Sequence, residues 1–252
     1  MTLKIPHIIG HRGACGYAPE NTLESIHTAA DIGASWVELD VKLTKDDVPI
    51  LFHDDTLERT TNGYDPVAQM TYDDIRQLEA GSWFSDSFTG VKIPTLDEAL
   101  QVIFDRGLGL NLEIKPCQTR EQDTAEAAMD VLAHYIEDDD QVLISSFQHS
   151  SLEIVREMMP TVPVGFLAHA PSAEELPDTL IDMAHYFKAK SIHLNLEAIN
   201  DTMIDTILRH ELLPAVYTVN DGDMAKYLFD LGVHTIFSDT PDELMGAIPT
   251  KH

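Results

Sequence analysis

Basic residues are scarce in this sequence: 16 Lys and Arg stand against 43 Asp and Glu among 252 residues, a formal net charge of −27 at pH 7. Nucleic-acid backbones and anionic lipid surfaces are bound by dense positive surface, so this balance predicts no nucleic-acid partner and no stable membrane association. Long apolar runs are also missing. None approaches the roughly 20 residues needed to span a bilayer. Two cysteines, Cys15 and Cys117, are too few for a disulfide framework, which fits a reducing compartment and predicts a cytoplasmic protein. What is present is a hydrophobic fraction of 44%, too high for a disordered acidic chain and enough to bury a substantial core.

Short apolar or β-branched runs alternate with longer amphipathic segments along the whole chain. The predicted strands are His7 to Gly10, Trp36 to Leu43, Gly109 to Lys115, Gln141 to Phe147, Pro163 to Ala168, Ser191 to Leu196, Leu213 to Val219 and Val233 to Ser238. Several are continuously apolar, as expected for parallel strands buried on both faces. Helices are predicted over Asn21 to Ile32, Thr95 to Phe104 and Thr119 to Glu137, with a capping-box pattern at Thr95-Leu96-Asp97-Glu98. Asp201, Asp221 and Thr240-Pro241 make good starts for the last three helices. An open doubly wound sheet shares this alternation, but a count of eight favours an α/β (β/α)8 barrel, the TIM barrel, in one domain over residues 1–252. One stretch breaks the rhythm. Pro49 to Asp54 is a further strand-like run followed by Gly-, Thr- and Asp-rich sequence, so a small insertion is predicted after the second strand, at about 45–94.

The chemistry-bearing residues cluster at strand ends. His11-Arg12 closes the first strand, pairing a group that titrates near neutral pH with a planar cation matched to phosphate or carboxylate oxygens. In Trp36-Val37-Glu38-Leu39-Asp40-Val41-Lys42, period-two geometry puts Glu38, Asp40 and Lys42 on one face and the aliphatic residues on the other. Two acids on a buried strand need cationic neutralisation, by a divalent ion or by salt bridges to helices outside the barrel. Asn111-Leu112-Glu113-Ile114-Lys115 tips this toward the ion, because Glu113 completes a three-carboxylate cluster with Lys115 beside it as a point charge. Three acids around a hard metal, plus Arg and Lys, can hold and polarise a phosphoryl group. His53 closes another strand-like run, so one histidine can take a proton while the other gives one.

These residues carry a resemblance. His11-Arg12-Gly13, Ala18-Pro19-Glu20-Asn21-Thr22, Glu38-Leu39-Asp40-Val41, Pro49 to Asp54 with Leu57 through Gly63, Pro94-Thr95-Leu96, Glu113-Ile114-Lys115 and Tyr217-Thr218-Val219-Asn220 occur in an order that resembles the glycerophosphodiester phosphodiesterase family, within the wider phospholipase-C-like phosphodiesterase barrels. The resemblance spans almost the whole chain. It implies a phosphoric diester hydrolase that cleaves a small-molecule glycerophosphodiester to sn-glycerol 3-phosphate and an alcohol, with one divalent metal ion, Mg²⁺ or Ca²⁺; separately, composition leaves monomer and homodimer both open. It further implies Glu38, Asp40 and Glu113 as metal ligands, His11 and His53 as the acid/base pair, and Arg12 and Lys115 as phosphate contacts. The implied mechanism has the substrate's own 2-hydroxyl attack phosphorus, which lowers the entropic cost of attack. Tyr217 and the tripeptide Phe237-Ser238-Asp239 depart from the commonest family pattern. Both are expected to reshape the pocket without touching the implied catalytic set. Cys15 and Cys117 are expected to be small packing residues and not nucleophiles.

Overall fold

Alternation along each predicted strand assigns its side chains to two faces. In the computed structural model, which describes residues 4–136, 141–168 and 177–248, those faces become the inner and outer cores of a closed barrel. The strands are β1 (Ile8–Gly10), β2 (Trp36–Leu43), β3 (Pro49–Leu51), β4 (Gly109–Ile114), β5 (Val142–Ser146), β6 (Val164–Ala168), β7 (Ser191–Asn195), β8 (Leu213–Tyr217) and β9 (Thr235–Ser238). The helices are α1 (Leu23–Asp31), α2 (Tyr72–Ile75), α3 (Leu96–Asp105), α4 (Glu121–Leu132), α5 (His149–Met158), α6 (Pro177–Tyr186), α7 (Asp201–Arg209), α8 (Gly222–Leu231) and α9 (Pro241–Leu244). Eight strands run parallel in the order β1-β9-β8-β7-β6-β5-β4-β2, and pairing of β1 with β2 at Gly10 and Val37 closes the ring. Each expected barrel strand is one of these eight. The fold is a TIM barrel with an excursion after its second strand.

The outer core joins Val37, Leu39 and Val41 of β2 and Leu110, Leu112 and Ile114 of β4 to Ile26 and Ala29 of α1 and to Leu96, Leu100 and Ile103 of α3. Residues of opposite parity fill the barrel: Ile9, Trp36, Leu143, Ala215 and Phe237 plug its interior, with Ile5 added from the segment before β1. Higher up the same inward parity turns polar, at Glu38, Asp40, Asn111, Glu113 and Ser145. An apolar floor beneath a polar mouth is what puts chemistry at the C-terminal ends of barrel strands.

Caps set the helix starts. Thr95 and Glu98 close the predicted capping box at α3, and Thr22 with Ser25 makes a second one at α1. Asp221 caps α8, whereas α7 is capped by Asn200, leaving Asp201 as its first helical residue. The predicted end of the third helix at Glu137 lies outside the described residues; α4 has already ended at Leu132.

After β2 the chain turns back at Thr44 to Val48, with Asp47 in the left-handed region at φ 63°, so β3 pairs antiparallel with β2. The excursion then builds its own small core from Ile50, Phe52, Leu57, Val67, Ile75 and Ile93, with Cys117 packed against it. This explains the break in rhythm: a hairpin and a compact loop layer rest on one side of the barrel mouth. Lys42, which shares a face with Glu38 and Asp40, lies nearer that layer and gives its Nζ to Asp55 Oδ1 at 2.7 Å.

The inner plug depends on a missing side chain. A Cβ at Gly109 would stand 2.2 Å from the Trp36 ring, so β4 can lie against β2 only because this position is glycine. Gly109→Ala should therefore lower stability by about 1–3 kcal/mol through overpacking. Urea unfolding of the two proteins checks this, and an unchanged midpoint would mean that Trp36 is not packed as described.

Candidate active site

Barrel register brings the candidate ligands together. Asp40 on β2 pairs with Glu113 on β4, which pairs with Ser145 on β5, while Glu38 pairs with Asn111 one layer lower. Glu38, Asp40 and Glu113 are buried, and each offers a carboxylate oxygen such that all three lie within 4.8 Å of one another. With His11, Arg12, Asn111, Ser145, Tyr217 and others they line a cavity of about 380 Å³, part of it open to solvent.

Burial together with charge repulsion from the neighbouring acids raises Glu113 to about 7 and pushes Glu38 well up. Burial alone would raise Asp40 as well, but the charges of Arg12, Lys115 and His53 and a hydrogen bond from Asn21 hold it at about 2. Full ionisation of the three carboxylates would leave more negative charge than Arg12 and Lys115 offset, so protons or a cation are favoured there. Three clustered carboxylates, two of them with raised affinity for protons, fit a divalent ion with hard oxygen ligands.

The remaining predicted residues converge on this cluster. Lys115 Nζ lies 2.7 Å from Glu113 Oε1 and 3.7 Å from Asp40 Oδ1, and 5.5 Å from the centre of the Phe147 ring. Arg12 adopts φ 48°, a left-handed conformation that turns its backbone N–H onto Glu38 Oε2 at 3.0 Å. Its Nη1 donates to Glu20 Oε1 at 2.7 Å. Its buried Nε has Asp40 Oδ2 at 3.5 Å but makes no hydrogen bond among the described residues. His11 Nε2 stands 3.9 Å from Glu38 Oε2, and His53 is close enough to Asp40 for each to feel the other's charge. Burial lowers His53 despite that carboxylate, which keeps its imidazole neutral near pH 7.

A second ring of residues, unassigned from sequence, holds the first. Each histidine has a carboxylate behind Nδ1: Asp239 Oδ1 at 2.7 Å for His11 and Asp54 Oδ1 at 2.6 Å for His53. An Nδ1–H donated to the carboxylate leaves Nε2 free in each, and His11 lines the cavity. Asp239 is itself held by Asn220, whose Nδ2 donates to Oδ2 at 2.6 Å and whose Oδ1 accepts from the Asp239 backbone N–H at 2.8 Å. The expectation that the Phe237-Ser238-Asp239 tripeptide stays clear of the catalytic set is therefore corrected: Phe237 and Tyr217 line the cavity, but Asp239 binds His11 directly. Asn21 clamps Asp40 twice, donating from Nδ2 to Oδ2 at 2.8 Å and accepting from the Asp40 amide at 3.0 Å. Arg59 bridges two of these supports. It makes two hydrogen bonds of 2.7 Å to Glu20, behind Arg12, and others of 2.6 and 2.9 Å to Asp54, behind His53. Asp54 adjoins His53, and Glu20-Asn21 lies in a recognised motif, so both had a sequence signal. Asp239 and Asn220 had none linking them to His11.

Cys15 donates its thiol to Asp239 Oδ1 at 2.8 Å, with His11 Nδ1 3.8 Å away. Burial and then the Asp239 charge push its pKa strongly up, so the group is a thiol and not a nucleophilic thiolate. Deeper in the barrel, burial lowers His193 to about 3, and the neutral ring shares a 2.8 Å hydrogen bond with Ser191.

A sequence profile of the glycerophosphoryl diester phosphodiesterase family matches residues 11–243. A glycerophosphodiester phosphodiesterase of Caldanaerobacter subterraneus is 32% identical over 241 residues, covering 96% of this chain and 97% of that one. One from Bacillus subtilis is 34% identical over 246 residues, covering 93% and 83%. Among solved structures, an Oleispira antarctica phosphodiesterase in complex with the product sn-glycerol-3-phosphate superimposes with a TM-score of 0.91 at 35% identity, covering 98% of each chain.

An ion bound by the carboxylate cluster would compete with protons for the same oxygens. Because Glu113 binds a proton more tightly folded than unfolded, the metal-free protein loses stability as pH rises from the ordinary value of 4.5 to about 7. Mg²⁺ or Ca²⁺ should stabilise by about 2.7 kcal/mol at a hundredfold excess over Kd. The resulting rise in Tm should be larger at pH 8 than at pH 5 and should shrink in Glu113→Gln. Thermal unfolding with and without the ion checks this; a rise in Tm independent of pH would place the ion elsewhere.

Proposed function

The chain belongs to the glycerophosphoryl diester phosphodiesterase family of phosphoric diester hydrolases, and on that premise we propose that it cleaves glycerophosphodiesters to sn-glycerol 3-phosphate and an alcohol, using one divalent ion, Mg²⁺ or Ca²⁺. The observation that carries this reading is a buried three-carboxylate cluster flanked by Arg12, Lys115 and two histidine–carboxylate pairs. Glu38, Asp40 and Glu113 would hold the ion, which supplies charge neutralisation and polarisation of the phosphoryl oxygens when bound.

This chain's own residues do the rest. Arg12 brings its buried Nε, which makes no hydrogen bond among the described residues, to the substrate's phosphoryl oxygens, and Lys115 brings a second fixed cation. Both are preorganised by carboxylates, so little reorganisation accompanies charge development on the phosphoryl group. His11 and His53 divide the proton transfers at Nε2. One takes the proton of the attacking 2-hydroxyl as its oxygen bonds to phosphorus, and the other protonates the leaving alcohol as its P–O bond breaks. Water then opens the cyclic phosphate with the roles reversed. Tyr217 and Phe237 wall the cavity, and Phe147 meets Tyr217 edge to face with ring centres 6.2 Å apart. Residues 1–252 are proposed to act as one catalytic unit, monomeric or homodimeric, in the cytoplasm; the two free cysteines are the support for that compartment.

Incubation with glycerophosphocholine and glycerophosphoethanolamine, with Mg²⁺, with Ca²⁺ and with EDTA, tests the reading through a coupled assay for glycerol 3-phosphate. Release is expected with an ion and is expected to vanish in EDTA. His11→Ala and His53→Ala should each lower kcat by about 10²–10⁴-fold while ion binding persists. A folded protein that releases no glycerol 3-phosphate with either ion would sink the proposal.

Arg59 is a positioning residue in this scheme. Arg59→Ala should lower kcat/KM by about 10- to 100-fold by loosening Arg12 and His53 together. Arg59→Lys should recover only part, since an ammonium cannot span both carboxylates in fork geometry. An alanine variant with unaltered kcat and KM would show the bridge to be unnecessary.

A further inference from the structure

Beside the all-oxygen cluster stands a second group of ligand atoms with different chemistry. His11 Nδ1, Cys15 Sγ and Asp239 Oδ1 converge from opposite ends of the sequence, with separations of 2.7 Å between His11 and Asp239, 2.8 Å between Cys15 and Asp239, and 3.8 Å between Cys15 and His11. A tetrahedral Zn²⁺ with ligands at about 2.0–2.3 Å sets neighbouring donors roughly 3.3–3.7 Å apart. Opening the triad to that size needs side-chain shifts below about 1 Å by the same geometry.

We propose that His11, Cys15 and Asp239 form a binding site for a soft or borderline divalent cation of the Zn²⁺ class, distinct from the carboxylate cluster, and that its occupation inhibits hydrolysis. The donor set is imidazole, thiol and carboxylate, which suits Zn²⁺ and disfavours Mg²⁺ or Ca²⁺. The scaffold is already built. Asn220 anchors the other Asp239 oxygen at 2.6 Å. Gly16 N–H donates to the Asp239 carbonyl at 2.9 Å, and a Cβ on Gly16 would come within 2.9 Å of that oxygen, so the Cys15 loop sits on the Asp239 backbone because its neighbour is glycine. The site has access to solvent, the His11 and Asp239 side chains being 18% and 30% exposed.

Ion binding rearranges protons: the thiol proton now donated to Asp239 leaves to solvent as sulfur bonds to the ion, and the proton that His11 carries on Nδ1 is given up there and regained at Nε2, so that Nδ1 of a neutral imidazole bonds to the ion. The imidazole then carries a cation where it needs an exchangeable hydrogen bond to Asp239. This inhibitory part rests on the acid/base role proposed for His11.

Co²⁺ serves as the spectroscopic probe, added to the full-length protein in saturating Mg²⁺. Wild type and Cys117→Ser should develop a thiolate-to-cobalt charge-transfer band, and Cys15→Ser, which keeps a hydrogen-bond donor to Asp239, should not. Zn²⁺ should inhibit Mg²⁺-supported turnover of wild type, and the inhibiting concentration should rise at least about tenfold in Cys15→Ser, the loss expected for even an outer-shell change. Absence of the band in wild type, its persistence in Cys15→Ser, or equal Zn²⁺ sensitivity of the two proteins would overturn the proposal. Were the protein inactive on every glycerophosphodiester, the proposed function would fail while the cobalt band still decided the site.

Discussion

Three carboxylates buried side by side repel one another, and the upper half of this barrel is organised around that repulsion. Glu38, Asp40 and Glu113 are brought together by the register of β2 against β4, and burial removes the water that would screen them. Arg12 and Lys115 offset part of the charge and hold Asp40 ionised, leaving Glu38 and Glu113 with a raised appetite for a proton or a divalent ion. Buried like charges cost stability, the balance expected where a fold carries chemistry.

The supports around that cluster share one design. Charged side chains in the mouth are held by neighbouring polar groups: Asp40 is clamped by Asn21, Arg12 by Glu20, His11 by Asp239, His53 by Asp54, and Arg59 ties two of these supports to one another. These partners come from loops after β1, β3 and β9, with Asn220 added after β8. Positions fixed in this way cost little to reorganise when charge shifts during reaction.

The global charge of −27 and an anionic substrate oppose each other. The resolution is local. Arg12 lines the cavity and Lys115 is paired to Glu113 at its wall, both with low exposure, where their fields are screened less than those of surface carboxylates. Fixed cations of this kind act at contact distance, whatever the field at long range.

Much of the local structure was legible in the sequence. Period-two alternation predicted which side chains of Trp36 to Leu43 share a face, continuous apolar runs predicted parallel strands, and Thr95 with Glu98 announced the start of α3. Strand-end positions singled out the seven residues that converge in the mouth. Tertiary structure alone decided what lay across the ring. Hydrophobic period says which way a side chain faces but not which strand will stand next to it, so barrel closure was needed to set Asp239 against His11 across 228 residues of chain and to add Cys15 beside them. The same holds for the antiparallel turn of β3, where Asp47 in the left-handed region reverses the chain, and for Arg59, whose partners are chosen by how the excursion folds over the mouth.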